Sequence, residues 1–218
     1  MKPSELFKMI RDIPHDSYNT SGDDVQWIIL VDPDEMIIRL VFEETAGEFC
    51  KSRDWINNLN FPAKVYKNQV SCIKAARGWG DAYKSCNDEI MTSLIHTVHD
   101  FPKYEVYICG WSYGGAMAVL ASEDYFYRTH SKAHVITFGS SKPLYGAKTL
   151  RYVRSCVKSV QQYAHINDCV PLLPPFIGYH HLNEIRLGRG FCISKLFLPQ
   201  KYHCIYDEEE LYKEIECL

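Results

Sequence analysis

The sequence lacks an excess of basic residues, a long apolar run and any Cys-x-x-Cys pair. Its 218 residues include 24 Lys and Arg against 27 Asp and Glu, a formal net charge of −3. The basic footprint of a nucleic-acid-binding protein is therefore missing. No run approaches the ~18 apolar residues that a membrane-spanning helix needs. Because neither the cysteines nor the histidines show metal-ligand spacing, we expect no metal.

The N-terminal segment also lacks the apolar centre of a signal peptide, because Glu5, Lys8 and Arg11 interrupt it. Nine is an odd number of cysteines, which disfavours a disulfide framework. In a chain without an export signal, thiols are expected to stay reduced. We therefore expect a cytoplasmic protein with free thiols.

The composition is that of an ordinary globular protein, with 46% hydrophobic and 23% charged residues. We expect a single domain over residues 1–218. Apolar runs predict strands at 27–31, 37–42, 106–109 and 134–138, and residues 159–165, which lead to Asn167-Asp168, are predicted as a further strand. Helical periodicity and composition predict helices at 81–100, 116–127, 147–154 and 207–216. The first two strands form a hairpin, and the later alternation predicts an α/β fold with a mainly parallel sheet between helices.

The most informative motif is Gly110-Trp111-Ser112-Tyr113-Gly114, a G-x-S-x-G sequence. It stands between a predicted buried strand and a predicted alanine-rich helix. A serine in this sharp turn has a strained backbone and an exposed hydroxyl. The start of the helix adds backbone N–H groups and a partial positive charge. We therefore predict that Ser112 is a nucleophile; the alternative is a tight glycine turn with an inert serine.

A serine nucleophile needs a base and a group that orients the base. In folds with this motif the chain order is serine, acid, histidine. Asp168 follows a predicted strand and precedes Cys169-Val170-Pro171, so it is the candidate acid. Its alternative role is to cap a turn before the proline. His203 is the candidate base, whereas His180 and His181 are interpreted as local hydrogen-bonding residues.

Four ordered segments carry a resemblance to a known family. They are L-V-F-E-E-T at 40–45 with D-W-I-N-N-L at 54–59, A-R-G-W-G-D-A-Y at 76–83, G-W-S-Y-G at 110–114 with T-F-G-S at 137–140, and N-D-C-V-P-L-L-P at 167–174 with H-C-I-Y at 203–206. In this order they resemble the class 3 (fungal-type) triacylglycerol lipases. The resemblance implies an α/β-hydrolase fold and supports Ser112, Asp168 and His203 as nucleophile, acid and base.

The resemblance also implies an oxyanion hole made by the backbone N–H of Tyr113 and by Thr45. Here Glu43 and Glu44 replace the family's Arg-Gly, where glycine permits backbone angles that glutamate resists. The family's lid corresponds to residues 46–53, which are few and contain Phe49 as their one large apolar side chain. We therefore expect a minimal, short-lid version of the fold.

The expected function is that of a serine carboxylic-ester hydrolase, a lipase or esterase, which cleaves acyl esters of lipids through an acyl-enzyme and needs no cofactor. Short or medium acyl chains, or lysolipids, are the expected substrates, with at most transient contact with a lipid surface. The apolar loop at 172–177 either lines an acyl pocket or is a buried structural loop. Two alternatives stay open, a thioester or amide hydrolase with the same triad and a non-catalytic lipase-like binding protein.

Overall fold

The computed structural model describes residues 1–43, 62–67, 72–193 and 199–213. The strands within these ranges are β1 (Asn19–Ser21), β2 (Val25–Asp32), β3 (Ile37–Phe42), β4 (Ala63–Lys67), β5 (Cys72–Ala76), β6 (Glu105–Trp111), β7 (His134–Phe138), β8 (Leu144–Tyr145), β9 (Ser159–His165), β10 (Tyr179–His180) and β11 (Glu184–Leu187). The helices are α1 (Pro3–Asp12), α2 (Arg77–Asp100), α3 (Tyr113–Thr129), α4 (Ala147–Cys156) and α5 (Pro199–His203). No helix of the described ranges is long and apolar enough to cross a membrane.

The central sheet contains seven of the described strands in the order β1-β2-β3-β6-β7-β9-β11. β3, β6, β7, β9 and β11 are parallel, whereas β1 and β2 pair as antiparallel neighbours at one edge. The predicted hairpin and the predicted mainly parallel sheet are therefore confirmed. Because the carboxyl ends of parallel strands share one edge, the loops that leave β6, β7 and β9 meet there.

Both faces of this sheet are covered. Alternate residues of a strand point to opposite faces. Leu40 and Ile108 therefore join the core that contains the buried residues of α2 and α3. Val41 and Cys109 join a second core with Leu6, Phe7 and Ile10 of α1. Two buried faces explain why β3, β6 and β7 are nearly continuous apolar runs in the sequence.

A second, smaller sheet was not predicted from the sequence. Among the described strands it contains β10, β8, β5 and β4, which pair as antiparallel neighbours. β8 and β10 have two residues each. Two residues are too few to show the alternation of apolar and polar side chains that distinguishes a strand from a loop.

The predicted helix at 207–216 is wrong over its described part. Residues Glu209–Leu211 form a single 3₁₀ turn. Tyr212 is buried, packs edge-on against Tyr163 and donates a hydrogen bond of 2.7 Å to the carbonyl of Tyr206. The buried ring of Tyr212 anchors the end of this turn to the core. Residues 214–216 lie outside the described ranges.

Candidate active site

Ser112 lies in the turn between β6 and α3, with φ of +56° and ψ of −120°. Residues other than glycine seldom adopt a positive φ, because the conformation strains the backbone. Such strain persists only where the surrounding structure imposes it. Here the N–H of Ser112 donates to the carbonyl of Phe138 at 2.9 Å, and the N–H of Gly115 donates to the carbonyl of Ser112 at 3.2 Å. The predicted strand–serine–helix turn is thus present, with its serine between two backbone anchors. Ser112 is only 4% exposed, so the prediction of an exposed hydroxyl is wrong in this structure.

Three glycines around Ser112 are required by close backbone approach. A Cβ atom on Gly110 would lie 2.2 Å from the carbonyl oxygen of Gly114, and one on Gly114 would lie 2.4 Å from the carbonyl oxygen of Phe42. A Cβ atom on Gly115 would lie 2.6 Å from Cβ of Ser140. The small residues of the motif therefore allow β3, α3 and the loop after β7 to converge on the serine.

Asp168 and His203 form a buried pair at the same edge of the sheet. His203 Nδ1 lies 2.7 Å from Asp168 Oδ2, and both side chains are almost fully buried. An ionised carboxylate only accepts hydrogen bonds, so Nδ1 carries the proton and Nε2 is the basic ring nitrogen. The alternative histidine His181 instead donates from Nε2 to the carbonyl of Pro171 at 2.9 Å. The structure therefore brings together the acid and the base that the sequence analysis favoured.

The carboxylate of Asp168 has two further donors. Oδ1 accepts the N–H of Val170 at 3.0 Å, so the turn-capping role considered from the sequence is also fulfilled. Oδ2 accepts the hydroxyl of Tyr206 at 2.6 Å, and that hydroxyl accepts the N–H of His165 at 3.0 Å. Burial, together with the negative charge of Asp168, raises the pKa of Tyr206 well above its ordinary value, so the phenol remains a donor.

The contact of Tyr206 with Asp168 was not predicted from the sequence. The sequence feature that points to Tyr206 is its position in H-C-I-Y, three residues after the candidate base His203. A buried tyrosine hydroxyl needs a hydrogen-bond partner, but the sequence does not reveal that this partner is the carboxylate of Asp168.

Gly139 connects the serine turn to the Asp168–His203 pair. It has φ of +53°, and a Cβ atom there would lie 2.7 Å from Cε1 of His203 and 2.9 Å from Oδ2 of Asp168. It directly follows Phe138, whose carbonyl accepts the N–H of Ser112. The indole N–H of Trp111, the residue before the serine, donates to the carbonyl of His203 at 3.0 Å. Phe138-Gly139 and Trp111 therefore connect the turn of Ser112 to the Asp168–His203 pair.

Of the two predicted oxyanion donors, Tyr113 lies within the described residues and Thr45 does not. Tyr113 is the first residue of α3, where backbone N–H groups have no acceptor within the helix and carry a partial positive charge. Thr45, Glu44 and the lid segment at 46–53 lie outside the described residues. Glu43 is described, and its carboxylate lies 2.9 Å from His15 Nδ1. Burial raises the pKa of Glu43, and the neighbouring His15 opposes that shift.

A cavity of about 290 Å³ opens beside Asp168. Its walls are made by Ala164, His165, Ile166, Asp168, Pro171, Leu172, Glu184, Arg186 and Phe191. The loop at 172–177 is neither wholly a pocket wall nor buried. Leu172 lines the cavity and Pro174 is buried, whereas Phe176 and Ile177 are exposed.

Comparison with known proteins identifies the relatives of this chain. The family profile of class 3 lipases matches residues 45–177. A lipase of Rhizomucor miehei is 29% identical over 154 residues, which are 69% of this chain and 41% of that protein. A secreted mono- and diacylglycerol lipase A of Penicillium cyclopium is 27% identical over 174 residues, which are 78% of this chain and 54% of that protein. The chain thus spans about half the length of these curated relatives.

A solved structure shows the same architecture. The Rhizomucor miehei lipase in its propeptide complex superposes with a TM-score of 0.69 and 25% identity, over 78% of this chain and 55% of that chain. This likeness and the parallel sheet confirm the predicted α/β-hydrolase fold. The family profile covers more than half of the residues. This chain therefore belongs to the class 3 lipase family.

Proposed function

We propose that this chain is a serine carboxylic-ester hydrolase that cleaves acyl esters of lipids. The observation that carries the proposal is the strained turn of Ser112 next to the buried Asp168–His203 pair. The family membership supports it, because relatives of the chain are named lipases. A serine at a strand-to-helix turn, with an acid and a histidine later in the chain, is the arrangement that activates a hydroxyl for acyl transfer.

In the proposed mechanism, Ser112 Oγ attacks the ester carbonyl while His203 Nε2 accepts its proton. Asp168 holds the Nδ1–H tautomer and stabilises the imidazolium that forms. The tetrahedral intermediate collapses to an acyl-enzyme when His203 returns the proton to the leaving alcohol. Water then repeats the sequence on the acyl-enzyme and releases the acid, so every step uses groups of the chain and no cofactor is needed.

The oxyanion of the intermediate is proposed to bind the N–H of Tyr113 and a donor of Thr45. The position of Tyr113 at the start of the 17-residue helix α3 supports this role, because the partial positive charge of a helix is concentrated in its first turn. Loss of one such donor typically costs about 10² to 10³ in rate. The replacement of the family's Arg-Gly by Glu43-Glu44 favours the alternative of a non-catalytic relative. The carboxylate of Glu43 is paired with His15, which weakens its part in that alternative, and Glu44 lies outside the described residues.

The proposed substrates are esters of short or medium acyl chains, or lysolipids. The support is the shortness of residues 46–53, where Phe49 is the one large apolar residue. A lid that opens onto an oil surface needs a broader apolar face. A series of p-nitrophenyl esters of increasing acyl length is expected to reach its highest kcat/KM among the dissolved esters. Activity that begins only above the solubility limit would contradict this assignment.

The experiment that tests the proposed chemistry compares two serine variants. Ser112→Ala is expected to lower kcat for p-nitrophenyl butyrate by about 10³-fold or more, because the nucleophile is lost. The control is Ser122→Ala, which removes a buried hydroxyl of the same helix whose hydrogen bond goes to the carbonyl of Val119. Equal activity in the two variants would reject Ser112 as the nucleophile. Matched ester, thioester and amide substrates separate the esterase from the alternative hydrolases.

A cytoplasmic location is proposed for the chain. The support is that Cys86, Cys109 and Cys156 are buried thiols outside any disulfide, which is typical of proteins kept in a reducing compartment. The Penicillium relative, in contrast, is a secreted enzyme. Mass spectrometry of the natural protein without reductant is expected to find all three residues as thiols. Disulfides at these positions would contradict the location and leave the proposed chemistry unaffected.

A further inference from the structure

The turn that follows Asp168 supplies one of the hydrogen bonds to its carboxylate. Residues Val170–Leu172 form a 3₁₀ turn, and the N–H of Val170 donates to Asp168 Oδ1 at 3.0 Å. The N–H of Leu172 donates to the carbonyl of Cys169 at 3.1 Å, which closes the turn. The direction of the carboxylate therefore depends on where this turn is held.

The side chain of His181 holds the turn from outside. Its Nε2 lies 2.9 Å from the carbonyl oxygen of Pro171, the middle residue of the turn. A carbonyl oxygen can only accept a hydrogen bond, so Nε2 carries the proton and donates it. The imidazole is 7% exposed, and a buried acceptor that loses its donor is costly. This hydrogen bond therefore fixes the position of the turn.

His181 is itself fixed by hydrogen bonds on both sides in the chain. It directly follows β10, in which His180 pairs with Leu144 of β8. It directly precedes Leu182, whose N–H donates to Gln162 Oε1 of β9 at 2.6 Å. The second, smaller sheet and a strand of the central sheet thus set the place from which His181 reaches the turn.

The surroundings of His181 favour a neutral imidazole. Burial lowers the pKa of His181, and the positive charges of Lys142 and Arg186 act in the same direction. The carbonyl of Pro171 and the carboxylate of Glu184, with Oε2 3.9 Å from Nε2, oppose this shift. Among the described residues Nδ1 has no hydrogen-bond partner. A proton on Nδ1 would be a buried donor without an acceptor, so the neutral Nε2–H tautomer is favoured.

We propose that His181 is a positioning residue for Asp168. By donating to the carbonyl of Pro171, it holds the turn whose Val170 N–H orients the carboxylate of the acid. This inference rests on the proposed function and adds a residue that acts through the acid of the triad. It also gives the second sheet a role, since β10 carries the chain to the histidine that holds this turn.

Two amide substitutions isolate the hydrogen bond. In His181→Gln the amide nitrogen is as many bonds from Cα as Nε2 is, so it can still donate to Pro171. In His181→Asn the amide nitrogen is one bond nearer to Cα and corresponds to Nδ1, so the hydrogen bond is lost. We expect His181→Asn to lower kcat for p-nitrophenyl butyrate roughly five- to tenfold with KM unchanged. His181→Gln is expected to keep most of the parent kcat.

The matched controls are the same two substitutions at His180, the preceding residue, which are expected to leave kcat unchanged. Active sites are counted with a fluorophosphonate probe, and urea unfolding is measured for all four variants. Equal kcat in His181→Asn and His181→Gln would overturn the proposal. So would a loss of unfolding free energy in His181→Asn without a loss of kcat, because that result describes a purely structural histidine.

Two NMR measurements test the contact without ester hydrolysis. In chains with Ser112→Ala, the Nδ1–H of His203, which lies 2.7 Å from Asp168, is expected to give a proton signal far downfield of the amides. This signal is expected to move in His181→Asn and to stay in place in His181→Gln; an unmoved signal in both would overturn the proposal.

The second measurement uses the parent chain, so it does not depend on the folding of a variant. A nitrogen–proton correlation spectrum of the imidazoles is expected to show the proton of His181 on Nε2, and a proton on Nδ1 would overturn the proposal. Neither spectrum depends on turnover. Failure of the positioning role of His181 and failure of Ser112 as nucleophile are therefore distinguishable.

Discussion

The substitution Tyr206→Phe isolates a single contact of the proposed triad. It removes the hydroxyl that donates to Asp168 Oδ2 at 2.6 Å and keeps the buried aromatic ring. It also leaves the N–H of His165 without the oxygen it now reaches at 3.0 Å. We expect the carboxylate of Asp168 to be held less firmly, which loosens the orientation of the His203 ring.

The magnitude follows from the kind of hydrogen bond that is lost. A hydrogen bond to a charged group contributes about 1.5–3 kcal/mol. We expect the loss of this free energy to destabilise the transition state, in which His203 becomes positively charged. Each 1.4 kcal/mol of destabilisation corresponds to about a tenfold decrease in rate. We therefore expect kcat to fall roughly ten- to a hundredfold. KM is expected to change little, because Tyr206 acts through Asp168 and not on the substrate.

The assay is ester hydrolysis per active site, with the sites counted by a fluorophosphonate probe, alongside urea unfolding. The matched control is Tyr212→Phe, which removes another buried hydroxyl, one that donates to the carbonyl of Tyr206 at 2.7 Å. Tyr212→Phe is expected to lose about 1 kcal/mol of unfolding free energy, and Tyr206→Phe about 1.5–3 kcal/mol, because its hydroxyl donates to a charged group. Only Tyr206→Phe is expected to lose kcat. Equal kcat in the two variants would refute a positioning role for Tyr206.

Two further variants test the surroundings of the site. Gly139→Ala is expected to lower kcat at least about tenfold, because its methyl group meets the His203 ring at 2.7 Å; Gly190→Ala, also at positive φ but in open space, is the control and should stay active. Burial raises the pKa of Cys109 to about 12. In the unfolded chain the Cys109 thiol ionises near its ordinary pKa, whereas in the native protein it stays protonated. This thiol therefore lowers the free energy of unfolding by about 1.4 kcal/mol per pH unit above about pH 9. Cys109→Ala should make this slope shallower without abolishing it, because burial also raises the pKa of Cys86 to about 12. The slope is measured by urea unfolding at about pH 8 and about pH 10, and a slope equal to that of the parent chain would contradict the assignment.

The strands that the sequence predicted best are the buried parallel ones. β3, β7 and β9 have the predicted bounds. The apolar run of β7 ends at the turn residue Gly139, and β9 leads into the predicted loop at Asn167-Asp168. The pairing of Asp168 with His203 was also predictable, since chain order and loop position constrain both residues. Helix α1 was missed, although Leu6, Phe7 and Ile10 have helical spacing and are buried, with Phe7 edge-on against Trp111.

Other features depend on contacts between distant residues. The hydrogen bond of Tyr206 to Asp168 and that of His15 to Glu43 join residues 38 and 28 positions apart. A tyrosine that binds an acid and one that only fills the core give the same local pattern. The effect of Glu43 on the serine turn could not be inferred either, because it depends on the direction of the carboxylate. Thr45 and the short lid stay predictions.

The central claim is that Ser112 is a nucleophile activated by His203. The most direct measurement is mass spectrometry of the chain after reaction with a fluorophosphonate probe. We expect one adduct per chain, on the peptide that contains Ser112, and loss of this adduct in His203→Ala. An adduct on another serine, or an unchanged labelling rate without His203, would contradict the account.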